Sequence, residues 1–336
     1  MSVPHAAAGR SFRASAAQFF SVWNLAILLA LLILVFSLLK GDTFLTAFTF
    51  QSMVNSRSIN AMVALAVMIP LASNNFDLSV ASILGITQVL ANGLQTQQGL
   101  PWQAVFGLCI LLGALVGLIN GVLVTRARIN SFIATLGTGT LLLGLNQWYT
   151  GGMQVVGLLP PDFVAWSGRI PYTGVPAPVG YVLMIALVLW VVFDYLPLGR
   201  FLYIIGDSPR AAELTGISIT TYVTLAFVAS GTIAAFAGVI LQAQLQVGQS
   251  TVGQELMLPA FTGALLGATA IRPGRPNVWG TVLAVAVLAV AVAGLTQLGA
   301  PFFVENLFNG GMLVLAVGLA GWSQRRRERR AAGGRP

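Results

Sequence analysis

Charge is what this sequence lacks most. Only 8% of its 336 residues are Asp, Glu, Lys or Arg, where a water-soluble domain carries about a quarter. With 57% hydrophobic residues and a mean hydropathy of +0.85, the chain reads as an integral membrane protein. Cysteine occurs once, as Cys109 within an apolar run, and histidine once, as His5, so disulfides, zinc sites and redox chemistry are excluded. The one lysine, Lys40, ends the first apolar run and follows no glycine-rich phosphate cradle, so no nucleotide site and no cofactor are expected in this chain. None of the nine acids falls in the interior of an expected span, Asp194 standing two residues from the end of 179–196. That leaves an intramembrane enzyme, or a proton- or sodium-coupled transporter, without the ionisable groups such chemistry uses.

What is present is a succession of apolar runs of helical length, the signature of a polytopic helix bundle and not of an alternating outer-membrane barrel. Ten are expected, at 22–39, 59–73, 79–94, 105–124, 132–149, 179–196, 221–241, 257–271, 278–298 and 307–322. The fold class is therefore all-α polytopic, with about ten transmembrane helices and both termini cytoplasmic. Residues 1–20 form a cytoplasmic N-terminal segment, 21–322 the transmembrane domain and 323–336 a basic cytoplasmic tail. The first run ends in Lys40-Gly41-Asp42 with no small-x-small pattern, so it reads as a retained span and not a cleaved signal.

The basic residues test this topology. Fourteen arginines (10, 13, 126, 128, 200, 210, 272, 275, 325–327, 329, 330 and 335) fall inside, and only Lys40, Arg57 and Arg169 outside, a strong positive-inside bias. The net charge of +8 is thus a matter of orientation and of tail contact with anionic membrane lipid, and no aromatic-interleaved module for nucleic acid is present. Trp148, Tyr149, Trp166 and Tyr172, in or beside the long outer segment 150–178, are expected as interface anchors. Gly113, Gly117 and Gly121, four apart, are expected to let helices approach closely.

One stretch carries charge where its neighbours carry none. Gly206-Asp207-Ser208-Pro209-Arg210-Ala211-Ala212-Glu213-Leu214-Thr215-Gly216 holds three ionised groups that would each cost about 2.5–3.5 kcal/mol at a bilayer centre. It must lie outside. Ser208 is placed to cap a helix, Pro209 to begin it and Gly216 to stop it. The result is a helix of about two turns whose alanines and Leu214, framed by Arg210 and Glu213, suit docking of a cytoplasmic partner. Pairing of Arg210 with Glu213 is the alternative use of those charges.

Two polar interruptions, 73–77 and 272–277, separate runs two from three and eight from nine. Interrupted segments at matching places point to a transport path, with runs two to four and eight to ten as a parallel repeat; plain turns are the other reading. Asn74, Asn75, Gln88, Asn120, Thr135, Thr138 and Asn146 lie in or beside apolar runs, as a path for a neutral, hydroxyl-rich solute requires, or as hydrogen-bonding glue between helices. Asp77, just before Leu78 and Ser79, is placed to cap run three or to bind solute. Glu255 and Glu305, at outer ends, are solvated or face a binding protein.

N-N-F-D-L-S-V-A-S (74–82), N-G-V-L-V (120–124) with S-F-I-A-T-L-G-T (131–138), and the G-D-S-P-R-A-A-E-L-T-G-I stretch at 206–217 together resemble the permease subunits of ribose-type sugar ABC importers, in order and spacing, across about residues 55–322. The resemblance implies a ten-helix type II importer fold in the inner membrane, a dimer with a second permease copy or homologue, a periplasmic solute-binding protein above and cytoplasmic ABC ATPase subunits docked on the 206–216 stretch. Asn74-Asn75-Phe76 stands where the family shows Gly-Gly-Ile, Ser131 where it shows Pro, and 270–275 where it has a Gly-Gly-x-Gly turn. These departures leave the solute and a heterodimeric pairing open. The expected function is a permease for a neutral monosaccharide or polyol, with an ion-coupled transporter, or an amino acid or nucleoside permease of the same superfamily, as alternatives.

Overall fold

The computed structural model describes residues 6–170 and 173–332; His5, Tyr172 and Arg335 lie outside the described residues. In chain order the helices are α1 (Ala6–Phe44), α2 (Ala47–Leu71), α3 (Ser79–Thr96), α4 (Trp102–Thr125), α5 (Ser131–Thr150), α6 (Pro161–Val164), α7 (Ala177–Asp194), α8 (Pro197–Asp207), α9 (Pro209–Leu214), α10 (Ile219–Leu245), α11 (Val252–Gly267), α12 (Val278–Gln297) and α13 (Phe303–Ala332). Each expected run falls on one long helix. Six segments, Val22–Phe44 of α1 together with α2, α4, α7, α10 and α12, have both the length and the apolarity to cross a membrane. α11 is only 16 residues long, and α3 and α5 carry too many polar side chains to qualify by hydropathy.

Two boundaries differ from expectation for a physical reason. α2 begins at Ala47 and not near 59, because Gln51, Ser52, Asn55, Ser56, Arg57 and Ser58 depress hydropathy over turns that are helical all the same. α8 was not expected at all. Its Leu198, Phe201, Leu202 and Ile205 recur at the helical period, and Pro197 opens it at the first turn, where its missing N–H costs nothing. Asp194, the last residue of α7, is an acid inside the bounds expected for a span. It sits at the end of the bundle that also carries Arg200 and Arg272, and it pairs with Arg272. This basic end also holds Val124, packed with Ile205, Ala212 and Val223.

The packing relates α2–α5 to α10–α13. α10 lies on α3 and α4 as α2 lies on α11 and α12; α3 meets α4 and α5 as α11 meets α12 and α13. Ser230 of α10 stands beside Asp77 and Gln242 beside Gln88, so α10 runs parallel to α3 and opposite to α2. The repeat is inverted. The counterpart of the break at 72–78 is therefore 246–251, at the far end, and not 272–277 as the parallel reading had it. Asn74 and Gln246 show the same left-handed backbone, φ 59° and 57°. The charged, proline-rich 272–277 drew attention, whereas Gln-Val-Gly-Gln-Ser-Thr at 246–251 is uncharged and passes for the end of a span. There Val247–Gly248 pairs antiparallel with Val155–Val156.

The glycines of α4 behave as expected. A Cβ on Gly113 would meet the Gly231 carbonyl, one on Gly117 the Phe227 carbonyl and one on Gly121 the Thr224 backbone, so α4 and α10 cross with their backbones in contact. Overpacking of this kind costs about 1–3 kcal/mol. Gly117→Val is therefore expected to lower the thermal unfolding midpoint of the detergent-purified protein, and Gly107→Ala, where a Cβ meets nothing within 4 Å, to leave it unchanged. Of the aromatic anchors, Trp148 is exposed. Trp166 instead packs edge-on against Trp102, 5.4 Å between ring centres.

Candidate docking helix and buried polar network

α9 is set by its own caps. The Ser208 hydroxyl accepts from the Ala211 N–H at 3.3 Å, Pro209 opens the helix and Gly216, at φ +79°, ends it. Arg210, Ala211, Glu213, Leu214, Thr215 and Gly216 are exposed, and Leu214 is 83% exposed. Arg210 and Glu213 form no ion pair with each other, so both charges are available to a partner. Ala212 is the exception in this stretch. It is 0% exposed, packed with Ile205, Val223 and Phe227, and so seats α9 on its own bundle and is no part of a docking face. Gly206 and Asp207 belong to α8, and Asp207 pairs with Arg275 at 2.6 Å.

The polar residues expected on the path divide into two groups, each holding one backbone break. At the basic end, the Asp77 carboxylate accepts from the Ser79 N–H (3.1 Å), the Ser79 hydroxyl (2.6 Å) and the Ser230 hydroxyl (2.9 Å). Asp77 thus caps α3, as a cap should, and ties it to α10. The Asn120 amide donates to the Ser79 hydroxyl at 2.8 Å, and the Thr138 hydroxyl donates to Asn120 at 2.7 Å. The free N–H groups of the break are taken up by hydroxyls of α5, Phe76 by Ser131 (3.1 Å) and Leu78 by Thr135 (3.0 Å). Two departures from the family pattern, Phe76 and Ser131, are therefore in contact, since a proline at 131 would have offered Phe76 no acceptor. Asn75 donates back to Ser73 at 3.0 Å within the turn, and Asn74 is exposed on it.

At the far end, Gln88 donates to the Val247 carbonyl (2.5 Å), accepts from the Gln249 N–H (3.0 Å) and lies against the Gln242 amide, whose oxygen accepts from Asn92 (2.6 Å). Asn92 and Asn146 donate to the Gln246 and Ser250 carbonyls, 3.3 Å each. Irregular backbone in a bundle is tolerated only where its polar groups find partners, and these amides supply them. Asn92, Ser230 and Gln242 were not singled out from sequence, and Ser131 only as a departure from the family pattern. A lone serine or amide in an apolar run was the available signal.

The chemistry at the basic end is completed by α8. The Tyr203 hydroxyl donates to the Pro276 carbonyl at 2.6 Å. Burial pushes its phenol up to about 12, against the opposing pull of Arg272 and Arg275, so it remains a donor at physiological pH. Arg272 grips Asp194 with two bonds, 2.6 and 3.1 Å.

Residues 49–317 match the family of the branched-chain amino acid transport system / permease component. The chain belongs to this permease family. Among curated relatives, the ribose import permease protein RbsC of Bacillus subtilis is 31% identical over 293 residues, covering 86% of this chain and 89% of that protein. Its namesake in Escherichia coli K12 is 30% identical, over 87% and 91%. The autoinducer 2 import system permease protein LsrD of Yersinia pseudotuberculosis is 28% identical, over 81% and 85%. No solved structure matches. This permease is a multi-pass inner-membrane protein of an ABC import system, and its family places it among transporters, not enzymes.

Proposed function

We propose that this permease forms, with a second copy or a homologue, the path by which a neutral monosaccharide or polyol delivered by a periplasmic binding protein enters the cytoplasm. ATP, with Mg, is hydrolysed by separate ABC ATPase subunits docked on α9. The observation that carries this reading is α9 itself, a capped helix at the basic end that presents Leu214 beside Arg210 and Glu213 while Ala212 fixes it to the bundle. All ten long helices cross the membrane, which puts both termini, the 1–20 segment and the 323–336 tail in the cytoplasm. The clustering of Arg126, Arg128, Arg200, Arg210, Arg272 and Arg275 at one end supports that orientation, and the tail arginines meet anionic lipid.

The exposed face of α5 supports a second copy at this position. Ile133, Leu136, Gly137, Thr140, Leu141 and Gly144 leave one face of it exposed, and nothing would meet a Cβ at Gly137 or Gly144, as a surface awaiting another helix requires. The solute path runs beside this face. Behind it stand Asp77, Ser79, Gln88, Asn120, Thr135, Thr138 and Asn146, with Asn74 and Asn75 on the break, framing the path through the helices they join.

The relatives named for ribose import support a sugar as the solute. The test is uptake into proteoliposomes carrying the purified complex, with labelled D-ribose, other monosaccharides, leucine and a nucleoside supplied in turn. ATP-dependent uptake of a sugar is expected. Uptake of leucine or the nucleoside without any sugar overturns the solute class, and uptake driven by a proton or sodium gradient without ATP overturns the coupling.

A further inference from the structure

Tyr203, Gly206 and Asp207 lie on one face of α8, at i, i+3 and i+4, yet they reach two different parts of the bundle. Gly206 sits where a Cβ would come within 2.6 Å of the Ala72 carbonyl and 3.2 Å of Ser73. Only glycine lets the α8 backbone rest on the start of the 72–78 break. Tyr203 and Asp207, on the same face, reach Pro276 and Arg275 of the turn between α11 and α12. That turn is itself stapled by Asn277, whose amide nitrogen donates to the Gly267, Ala270 and Arg275 carbonyls and whose oxygen accepts from the Gly280 N–H. A hold on 275–276 is thus a hold on the end of α11 and the start of α12.

α8 is also joined to α9 with little freedom. Ser208 alone separates them and caps α9, and Ile205 of α8 packs in one cluster with Ala212 of α9. A displacement applied to α9 is therefore carried by α8 as a lever, with one contact on the α2–α3 break and another on the α11–α12 turn. The break is in turn tied by Asp77 to α10 and by Phe76 and Leu78 to α5.

We infer that α8 is the transmission element of this transporter: Gly206 bears on the α2–α3 break, while Tyr203 and Arg275 are positioning residues that carry movement of α9 to the α11–α12 turn. The inference rests on the docking of an ATPase at α9. Arg275 and Asp207 are both more than half exposed, and such ion pairs contribute little to folding. Their role is to keep two moving parts in register.

The experiment uses the complete complex of permease, ATPase and binding protein in proteoliposomes, with labelled D-ribose as the probe, and reads sugar uptake per ATP hydrolysed. Tyr203→Phe and Arg275→Gln are expected to retain the ATPase on purification and to hydrolyse ATP as the wild type does, while uptake per ATP falls about tenfold, as the loss of one conformational coupling produces. Arg275→Lys should retain coupling. Arg275→Asp should lose it and regain it when combined with Asp207→Arg, a rescue that a general loss of folding would not show. Unchanged uptake per ATP in Tyr203→Phe and Arg275→Gln overturns the inference while leaving the docking reading intact. Loss of the ATPase itself from these variants also overturns it, by making α8 part of the docking face. A wild-type complex that moves sugar without hydrolysing ATP removes the docking reading, and this inference with it.

Discussion

Leu214→Asp is expected to abolish solute uptake while leaving the permease folded in the membrane. At 83% exposure the side chain makes almost no contact with its own bundle, and a surface change of this kind shifts stability by no more than about 0.5 kcal/mol. An apolar side chain buried at the centre of a partner interface loses about 2 kcal/mol or more on truncation, and a carboxylate in its place adds a desolvation penalty. The ATPase should fail to co-purify, and ATP-dependent uptake should fall with it. Ala212→Arg is a different experiment. It forces a guanidinium into the cluster of Ile205, Val223 and Phe227, so its expected effect is a lowered unfolding midpoint as well as lost transport. Wild-type uptake by Leu214→Asp would remove α9 as the docking site.

Asp77→Ala is expected to show the largest loss of stability in the chain. It strands the Ser79 N–H, the Ser79 hydroxyl and the Ser230 hydroxyl in a site where Asp77 is 0% exposed. Each stranded donor costs about 1–3 kcal/mol. Because Ser79 also receives Asn120, the disturbance extends to α4 and, through Thr138, to α5. Asp77→Asn keeps one acceptor oxygen and should recover part of the loss, and Ser230→Ala, which removes one donor with its partner's bond, should cost less than either. The check is the thermal midpoint of purified protein in detergent. An Asp77→Ala midpoint equal to that of the wild type would mean that the carboxylate does not organise the break.

The long helices were legible because hydropathy and length alone specify them, down to α3 opening at Ser79 and α12 at Val278. α9 was legible because its caps are local: Ser208, Pro209 and Gly216 act within a few residues of sequence. Which side of α9 is buried was not, since Ala211 and Ala212 are chemically identical and only the position of Ile205 and Phe227 tells them apart. The break at 246–251 escaped for a similar reason. Its partners, Gln88, Asn92 and Asn146, come from α3 and α5, more than a hundred residues away in the chain except through the fold. A parallel repeat was inferred from the more conspicuous Arg-Pro-Gly-Arg-Pro turn, and the direction of α10 against α3 reversed that reading.

An inverted pair of helical units, taken alone, has no sense of direction. Turned over, α2–α5 becomes the image of α10–α13, and nothing in such a body distinguishes drawing a solute in from letting it out. The asymmetry enters in the connector that precedes each unit. Residues 45–46 join α1 to α2, whereas 195–218 join α7 to α10 and contain α8 and α9. With the ATPase docked on α9 as proposed, the vectorial character of the transporter is concentrated in that one insertion, which would give a symmetric scaffold a single face on which energy is received.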